Sequence, residues 1–397
     1  MKKIIFVIES MNVGGTEKAL LSLFSVIDRK KYEITLLILE KNGGFIKEIP
    51  KDINVRYIDN YENMKEYIKL DARSILNKEI EMKEYYQAFK TLYSYGISRL
   101  INNYYFYFNN KVMSKFSCEK EKYDIAVSFQ GPPSHFSAYY VANKIKARKK
   151  IQWIHSDVTY LNLHKKTVET LYKKFDKFFI VSNESKEKFL SMFPVFREKS
   201  EVFLNILSQN SIYNKAQEGI GFNDNFNGIR ILTVGRLSGE KGQAMTIPIL
   251  YKLKEEGYNI RWYCLGDGPL RDKYTDLIKK YNIEKDFILL GNKMNPYPYF
   301  NECDIYVQPS KFEGYCITLA EARMFNKPIV TTSFSGAKEQ LKDKYTGLIV
   351  EYNENEIYKS VKKLLDDKEL RQNLIDNLKS EKIDTTKEIN KLYNVVE

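Results

Sequence analysis

Short apolar runs, each closed by a turn rich in Gly, Pro, Asn or Asp and followed by helical periodicity, recur along the chain. In the first half, residues 4–8, 34–39, 55–58, 125–129 and 151–154 read as strands, with a helix over about 16–27 after the first. In the second half, residues 231–234, 261–265, 287–290 and 304–307 read the same way. Runs this short and apolar are buried on both faces, and strands alternating with helices pair in parallel under a helical cover. The fold class is therefore α/β. Two segments break the alternation. Residues 62–110 are a long helical stretch ending in a Tyr- and Phe-rich cluster, which suits either an inserted helical hairpin packing on its own domain or an interfacial surface. Residues 208–228 are rich in Asn, Ser and Gly without sustained periodicity, as linkers are. A chain of 397 residues exceeds the usual single-domain size. It divides into domains at 1–207 and 229–382, joined by the linker at 208–228 and followed by a weakly helical tail at 383–397.

The turns after the strands carry the candidate chemistry, because open parallel sheets bind ligands outside the carboxyl ends of their strands. Gly235, Arg236 and Lys241 follow residues 231–234. Arg236 offers a planar fork for phosphate oxygens and Lys241 a mobile point charge, while glycines let the backbone approach a diphosphate. A solvated basic turn would have the same composition. Gly266 and Gly268 close the next strand, and Asn295 to Tyr299 (NPYPY) follows the one after. Glu313 and Glu321 stand around a helix start after residues 304–307. If the interval between them is helical, they lie roughly 12 Å apart, about the length of a sugar diphosphate with part of a ribose. The amides after Glu313 would then point from a helix amino terminus, where phosphate or sugar oxygens are favoured. Two surface acids on an ordinary amphipathic helix would look alike. Near the start of the chain, Gly14 and Gly15 suggest a phosphate-approach turn, although without GxGxxG. Two further strand exits hold Gln130, Gly131, Pro132 and Pro133, and then His155, Ser156 and Asp157.

The segments GRLSGEKG, GDGPL, NPYPY, EGYCITLAEA, KPIVTT and TGLIV, in that order, resemble the donor domain of family 4 glycosyltransferases, retaining enzymes of the GT-B fold. The first half is similar more loosely, through MNVGGTEKAL, WIHSD and FIVSN. The resemblance implies two Rossmann-like domains facing each other across a cleft. It implies a retaining glycosyltransferase of hexosyltransferase type, moving a sugar from a nucleoside-diphosphate sugar, foremost a UDP-sugar, to a hydroxyl of a glycan or lipid-linked glycan. By the same resemblance, Arg236 and Lys241 bind the donor diphosphate, Glu313 the sugar hydroxyls and Glu321 the ribose. Gly314, Tyr315, Cys316 and Ile317 offer amides, and Gly235, Gly266 and Gly268 complete the donor site. Gly14 and Gly15 face the donor phosphate or the acceptor, His155 lies beside the transferred sugar, and Gly336 and Glu339 approach the diphosphate. Tyr315 and Cys316 depart from the Phe-Gly or Phe-Pro pair of many members, which bears on the identity of the sugar. The chain has no Asp-x-Asp motif, so no metal or other cofactor is expected. Cations and helix-terminal amides would stabilise the departing diphosphate instead.

Hydrophobic residues at 43% allow real cores. No run reaches the ~18 apolar residues of a membrane span. The apolar run over residues 4–8 is only a strand's length and leads into a Gly-rich turn, so no signal peptide is expected. Cys118, Cys264, Cys303 and Cys316 form no CxxC pair, which suits a reducing cytoplasm. Residues 1–200 carry 35 Lys/Arg and 23 Asp/Glu against 28 and 28 in the remainder, so the whole net charge of +12 lies in the first half. An anionic leaflet attracts such a surface at about 1 kcal/mol per nearby cation. RNA would use the same charges, and a solvated basic face would need neither. The expectation is a cytoplasmic protein, peripheral at the inner face of the cell membrane, in capsule, other cell-surface polysaccharide or teichoic-acid biosynthesis, with no nucleic-acid partner. A GT-B nucleotide-sugar epimerase and a basic polyanion-binding protein without catalysis are the alternatives.

Overall fold

The computed structural model describes residues 1–132, 135–381 and 383–396; Pro133, which belonged to a strand exit read from the sequence, and residues 134, 382 and 397 lie outside the described residues. Strands β1 (Lys2–Ile8), β2 (Tyr32–Ile38), β3 (Asn54–Tyr57), β4 (Lys122–Ser128), β5 (Lys146–Ile154), β6 (Lys177–Ile180) and β7 (Ser200–Val202) form a sheet in the order β3-β2-β1-β4-β5-β6-β7. Strands β8 (Ile229–Val234), β9 (Ile260–Leu265), β10 (Phe287–Gly291), β11 (Ile305–Gln308), β12 (Ile329–Thr332) and β13 (Leu348–Val350) form a second, in the order β10-β9-β8-β11-β12-β13. All the paired strands run parallel. Each sheet is doubly wound, so a crevice opens where the order reverses, between β1 and β4 and between β8 and β11.

Burial follows the pleat. In β1, Ile4, Phe6 and Ile8 join one apolar cluster while Ile5 and Val7 join another on the opposite face. In β8, Leu232 and Ile231 divide likewise. The cluster that takes Phe6 and Leu232 also takes Leu319, Phe325 and Leu392, so one apolar mass underlies both sheets.

The expected linker at 208–228 differs from the sequence expectation, while 62–110 and the tail are helical as expected. Within 208–228 lies a helix, Gln209–Gln217, whose few apolar residues bury Ile212 and Ala216 and whose Tyr213 hydroxyl donates to the Met324 carbonyl. Periodicity this sparse is invisible beneath the Asn and Ser content. Residues 144–150, which hold five of the cations of the basic first half, are mostly the start of β5, where Arg148 lies 3.6 Å from Asp124 and the Lys150 ammonium donates to the Ala142 carbonyl. Residues 62–110 resolve into helices Tyr61–Lys69, Ala72–Glu81, Tyr85–Leu100 and Tyr105–Lys111. The tail forms the helix Ile389–Val396, which lies on the first sheet: Tyr393 stacks on Tyr32 at 4.8 Å, and its hydroxyl accepts from the Asp28 amide.

Candidate active site

Glycines set how closely the strand-exit loops pack. Gly242 has φ +70°, and a β-carbon there would sit 1.9 Å from the Pro309 carbonyl oxygen. Only glycine lets the loop after β8 press on the loop after β11. Gly266, at φ +137°, is packed as tightly on the Gly235 carbonyl, and Gly268 on that of Leu237. Gly266 and Gly268 thus hold the β9 exit against the β8 exit.

This packing places Lys241 and Glu313 together. Their Nζ and Oε1 are 2.6 Å apart, and Ser310 donates to the same carboxylate oxygen at 2.8 Å. Gln308 donates to Ser310 at 2.8 Å and accepts from the hydroxyls of Thr318 and Tyr306, so a buried polar relay runs from the end of β11 to the acid. Burial opposes the charge on Lys241, but Glu313 beside it raises the pKa above the ordinary lysine value. Ser310 and Gln308 were not candidates from sequence. Their signal was only that two polar residues follow an apolar strand directly.

The helix after Glu313 begins at Ile317. Half of the interval to Glu321 is thus loop, and a straight helical rise of roughly 12 Å does not describe it. Cys316 precedes the helix at φ +64°. The amides of Gly314, Tyr315, Cys316 and Ile317 make no hydrogen bond among the described residues. Glu321 is fully buried, with Lys18 at 2.5 Å and the Tyr297 hydroxyl at 3.2 Å, and its Oε2 has no partner among the described residues. Lys18 also lies 4.4 Å from the centre of the Tyr297 ring.

Lys18 belongs to the helix Gly15–Val26, which follows β1, so the two crevices face each other. Gly14 caps this helix in an extended conformation without a side-chain cap, and a β-carbon on Gly15 would be 4.0 Å from Ile317 Cδ1. Glu17 in its first turn is buried, which pushes its carboxyl up to about 7, with Arg236 across the cleft pulling the other way. Arg236 itself is two-thirds exposed and paired with Glu240 at 2.7 Å, its head open to solvent.

His155, at the β5 exit, is half-buried, with its ring 4.7 Å from that of Phe129 and stacked on Trp153. Burial pushes its pKa down to about 3, so it is neutral at physiological pH, and its Nε2 has no partner among the described residues. A β-carbon on Gly314 would lie 2.1 Å from the His155 carbonyl oxygen. The Gly314 carbonyl in turn accepts from Ser182 and Ser185. Gly336 and Glu339 also join the halves: Glu339 accepts from the Asn183 and Glu184 amides, and the Gly336 amide donates to Glu184. Beside them Asp157 takes Lys188 at 2.7 Å and Ser335 at 2.8 Å. The structure thus brings Lys241, Glu313, Glu321, Gly14 and Gly15 to one cleft, with Arg236 at its edge and His155 beneath it.

Residues 221–381 match the family model described as glycosyl transferases group 1. An N-acetylgalactosamine-N,N'-diacetylbacillosaminyl-diphospho-undecaprenol 4-alpha-N-acetylgalactosaminyltransferase of Campylobacter jejuni is 34% identical over 212 residues, covering 53% of this chain and 56% of its own length. Protein CapJ of Staphylococcus aureus is 33% identical over 108 residues, covering 26% and 27%. The chain spans about half the length or less of such curated relatives. Anabaena HepE in complex with UDP-glucose aligns with 99% of both chains at a TM-score of 0.70 and 16% identity. Staphylococcus aureus TarM, crystallised with fondaparinux, alpha-GlcNAc-glycerol and UDP, aligns over 100% of both at 0.69 and 13%. At these identities the likeness is one of fold, GT-B.

Proposed function

We propose that this chain, whose residues 221–381 match the model of the glycosyl transferases group 1, transfers a sugar from a UDP-sugar to a hydroxyl of a glycan or lipid-linked glycan, with retention of configuration. The observation that carries this is the pairing of Lys241 and Glu313 at the β8/β11 switch point, opposite Glu321 and beneath unbonded helix-mouth amides. An elongated anion laid along that line meets Lys241 and the amides of Gly314 to Ile317 at its diphosphate, and Arg236 swings in from solvent on its exposed side. Glu313, fixed by Ser310, presents its carboxylate to sugar hydroxyls, and the open Oε2 of Glu321 accepts from the ribose. Charge then develops on the departing diphosphate against groups already in place, the arrangement that lowers a barrier most. His155, held neutral, lines the floor as a hydrogen-bonding group without charge.

The domains divide at 1–207 and 229–382, with the acceptor side in the first. The Campylobacter jejuni relative is named for a diphospho-undecaprenol acceptor, and HepE was crystallised with UDP-glucose; both favour a lipid-linked acceptor and a UDP donor here. The basic first half then meets an anionic membrane at the cytoplasmic face, in cell-surface polysaccharide biosynthesis. A panel of UDP-, GDP-, ADP- and dTDP-sugars tests the donor site by thermal stabilisation, since a ligand of the folded state raises the midpoint. UDP-sugars are expected to stabilise the wild type and to lose that effect in Lys241→Ala and Glu321→Ala. No shift with any donor would overturn the proposal.

A further inference from the structure

The helix Tyr85–Leu100 is built inside out. It buries Ala88, Thr91, Ser94 and Ser98 towards the helices Ala72–Glu81 and Tyr105–Lys111. Tyr85, Tyr86, Phe89, Leu92, Tyr93 and Leu100 face outwards, Tyr86 at 68% exposure and Leu100 at 86%. At about 100° per residue these six fall within an arc of about 120°, a single apolar stripe. The polar inner face holds this orientation. Glu79 pairs with Lys111 at 2.6 Å and accepts from Thr91 at 2.6 Å, and Lys111 donates to the Gln87 carbonyl at 2.8 Å. Turning the stripe inwards would break this buried network and strand two charges away from water, which is far costlier than leaving the stripe exposed. The fold therefore commits these aromatics to the surface.

The charges around the stripe point to its occupant. Lys90 and Arg99 on the same helix, Lys83 in the turn before it, and Arg73 and Lys78 on its neighbour are exposed, against Asp71, Glu81 and Glu84. The Lys90 ammonium lies 4.5 Å from the centre of the Tyr86 ring, on the stripe itself. Tyr and Phe bordered by cations is the composition of a helix that lies in a membrane interface. A second copy of the chain docked stripe to stripe would set these cations against their own counterparts, which costs rather than stabilises. We propose that this face enters the headgroup region of an anionic bilayer and holds the first half on the membrane, an inference that rests on the lipid-linked acceptor proposed above.

The experiment is co-sedimentation of the full chain with vesicles of phosphatidylcholine, with and without phosphatidylglycerol, for the wild type and Phe89→Ser/Leu92→Ser/Tyr93→Ser. The wild type is expected to bind the anionic vesicles, and the triple variant to bind about tenfold more weakly or worse. Its stabilisation by UDP-sugar should be unchanged. Equal, salt-sensitive binding by both proteins would overturn insertion while leaving a charge-held membrane enzyme. No vesicle binding by the wild type would overturn both the insertion and the peripheral placement, with the sugar-nucleotide result still standing on its own. A wild-type dimer in light scattering that the triple variant dissolves, without vesicle binding, would assign the stripe to a second copy and overturn the proposal. Should the triple variant misfold, Leu92→Cys in a Cys118→Ser background carrying a polarity-sensitive dye decides the matter. Its emission shifts to the blue on anionic vesicles if the stripe inserts, and stays unchanged if it does not.

Discussion

Cys316 holds a left-handed backbone, φ +64°, immediately before the helix that carries Glu321. A side chain there costs on the order of 1 kcal/mol, which glycine avoids. Cys316→Gly should stay within about 1 kcal/mol of wild-type stability in urea unfolding, relief of strain offsetting lost packing, whereas Cys316→Val should lose about 2 kcal/mol or more. Glu17 is the second residue-scale test. Its folded carboxyl is raised from 4.5 to about 7, so the folded state favours the neutral acid. That contribution is complete below the unfolded value and is lost as pH rises through the folded one, a difference of about 3 kcal/mol. Glu17→Gln should therefore melt above the wild type at about pH 8 and match it at about pH 4. At this scale Lys241 and Glu313 were singled out by the ordered motifs around them, since a cation and an acid after apolar strands would by themselves look like solvated surface residues, and the structure pairs them. Ser310 and Gln308 were not, since a polar residue near a strand end signals nothing until its neighbour is known.

Elements were legible where periodicity was strong and obscure where a partner supplied the stability. β1, β8 and β9 came directly from their apolar runs. The short edge strands β7 and β13 and the helix Gln209–Gln217 owe their form to what they lie against, which no local pattern carries. Loop contacts depend on both partners in the same way. Gly242→Ala should cost more than 2 kcal/mol, about the upper end of ordinary substitutions, because it adds both a positive-φ penalty and a clash with Pro309. Lys18→Met removes the charge facing the buried Glu321 and should lower stability by about 2 to 3 kcal/mol, most of it recovered by adding Glu321→Gln. Urea unfolding of the two single variants and the double variant measures that coupling.

For the whole molecule, the alternation of strands and helices implied parallel α/β sheets and the family resemblance two Rossmann-like domains, while the strand orders and the contacts between the halves were not legible. Those contacts join residues far apart in sequence, such as Tyr393 with Tyr32 and Glu339 with Asn183. The protein carries two tryptophans, one in the core of each half, Trp153 and Trp262. Trp153→Phe and Trp262→Phe therefore report one half each by fluorescence, and the shared apolar mass predicts coincident unfolding midpoints. Leu392→Ala/Tyr393→Ala should separate them. The ion pair between Lys18 and Glu321 has one member in each half, so neither half alone neutralises the buried acid to which the proposed donor site assigns the ribose. Chimeras made by exchanging first halves among related chains to change the acceptor would need a lysine at the position of Lys18. Without it the recombinant protein would inherit a buried acid with no counter-charge, and sugar-nucleotide recognition would fail through the half that was never meant to affect it.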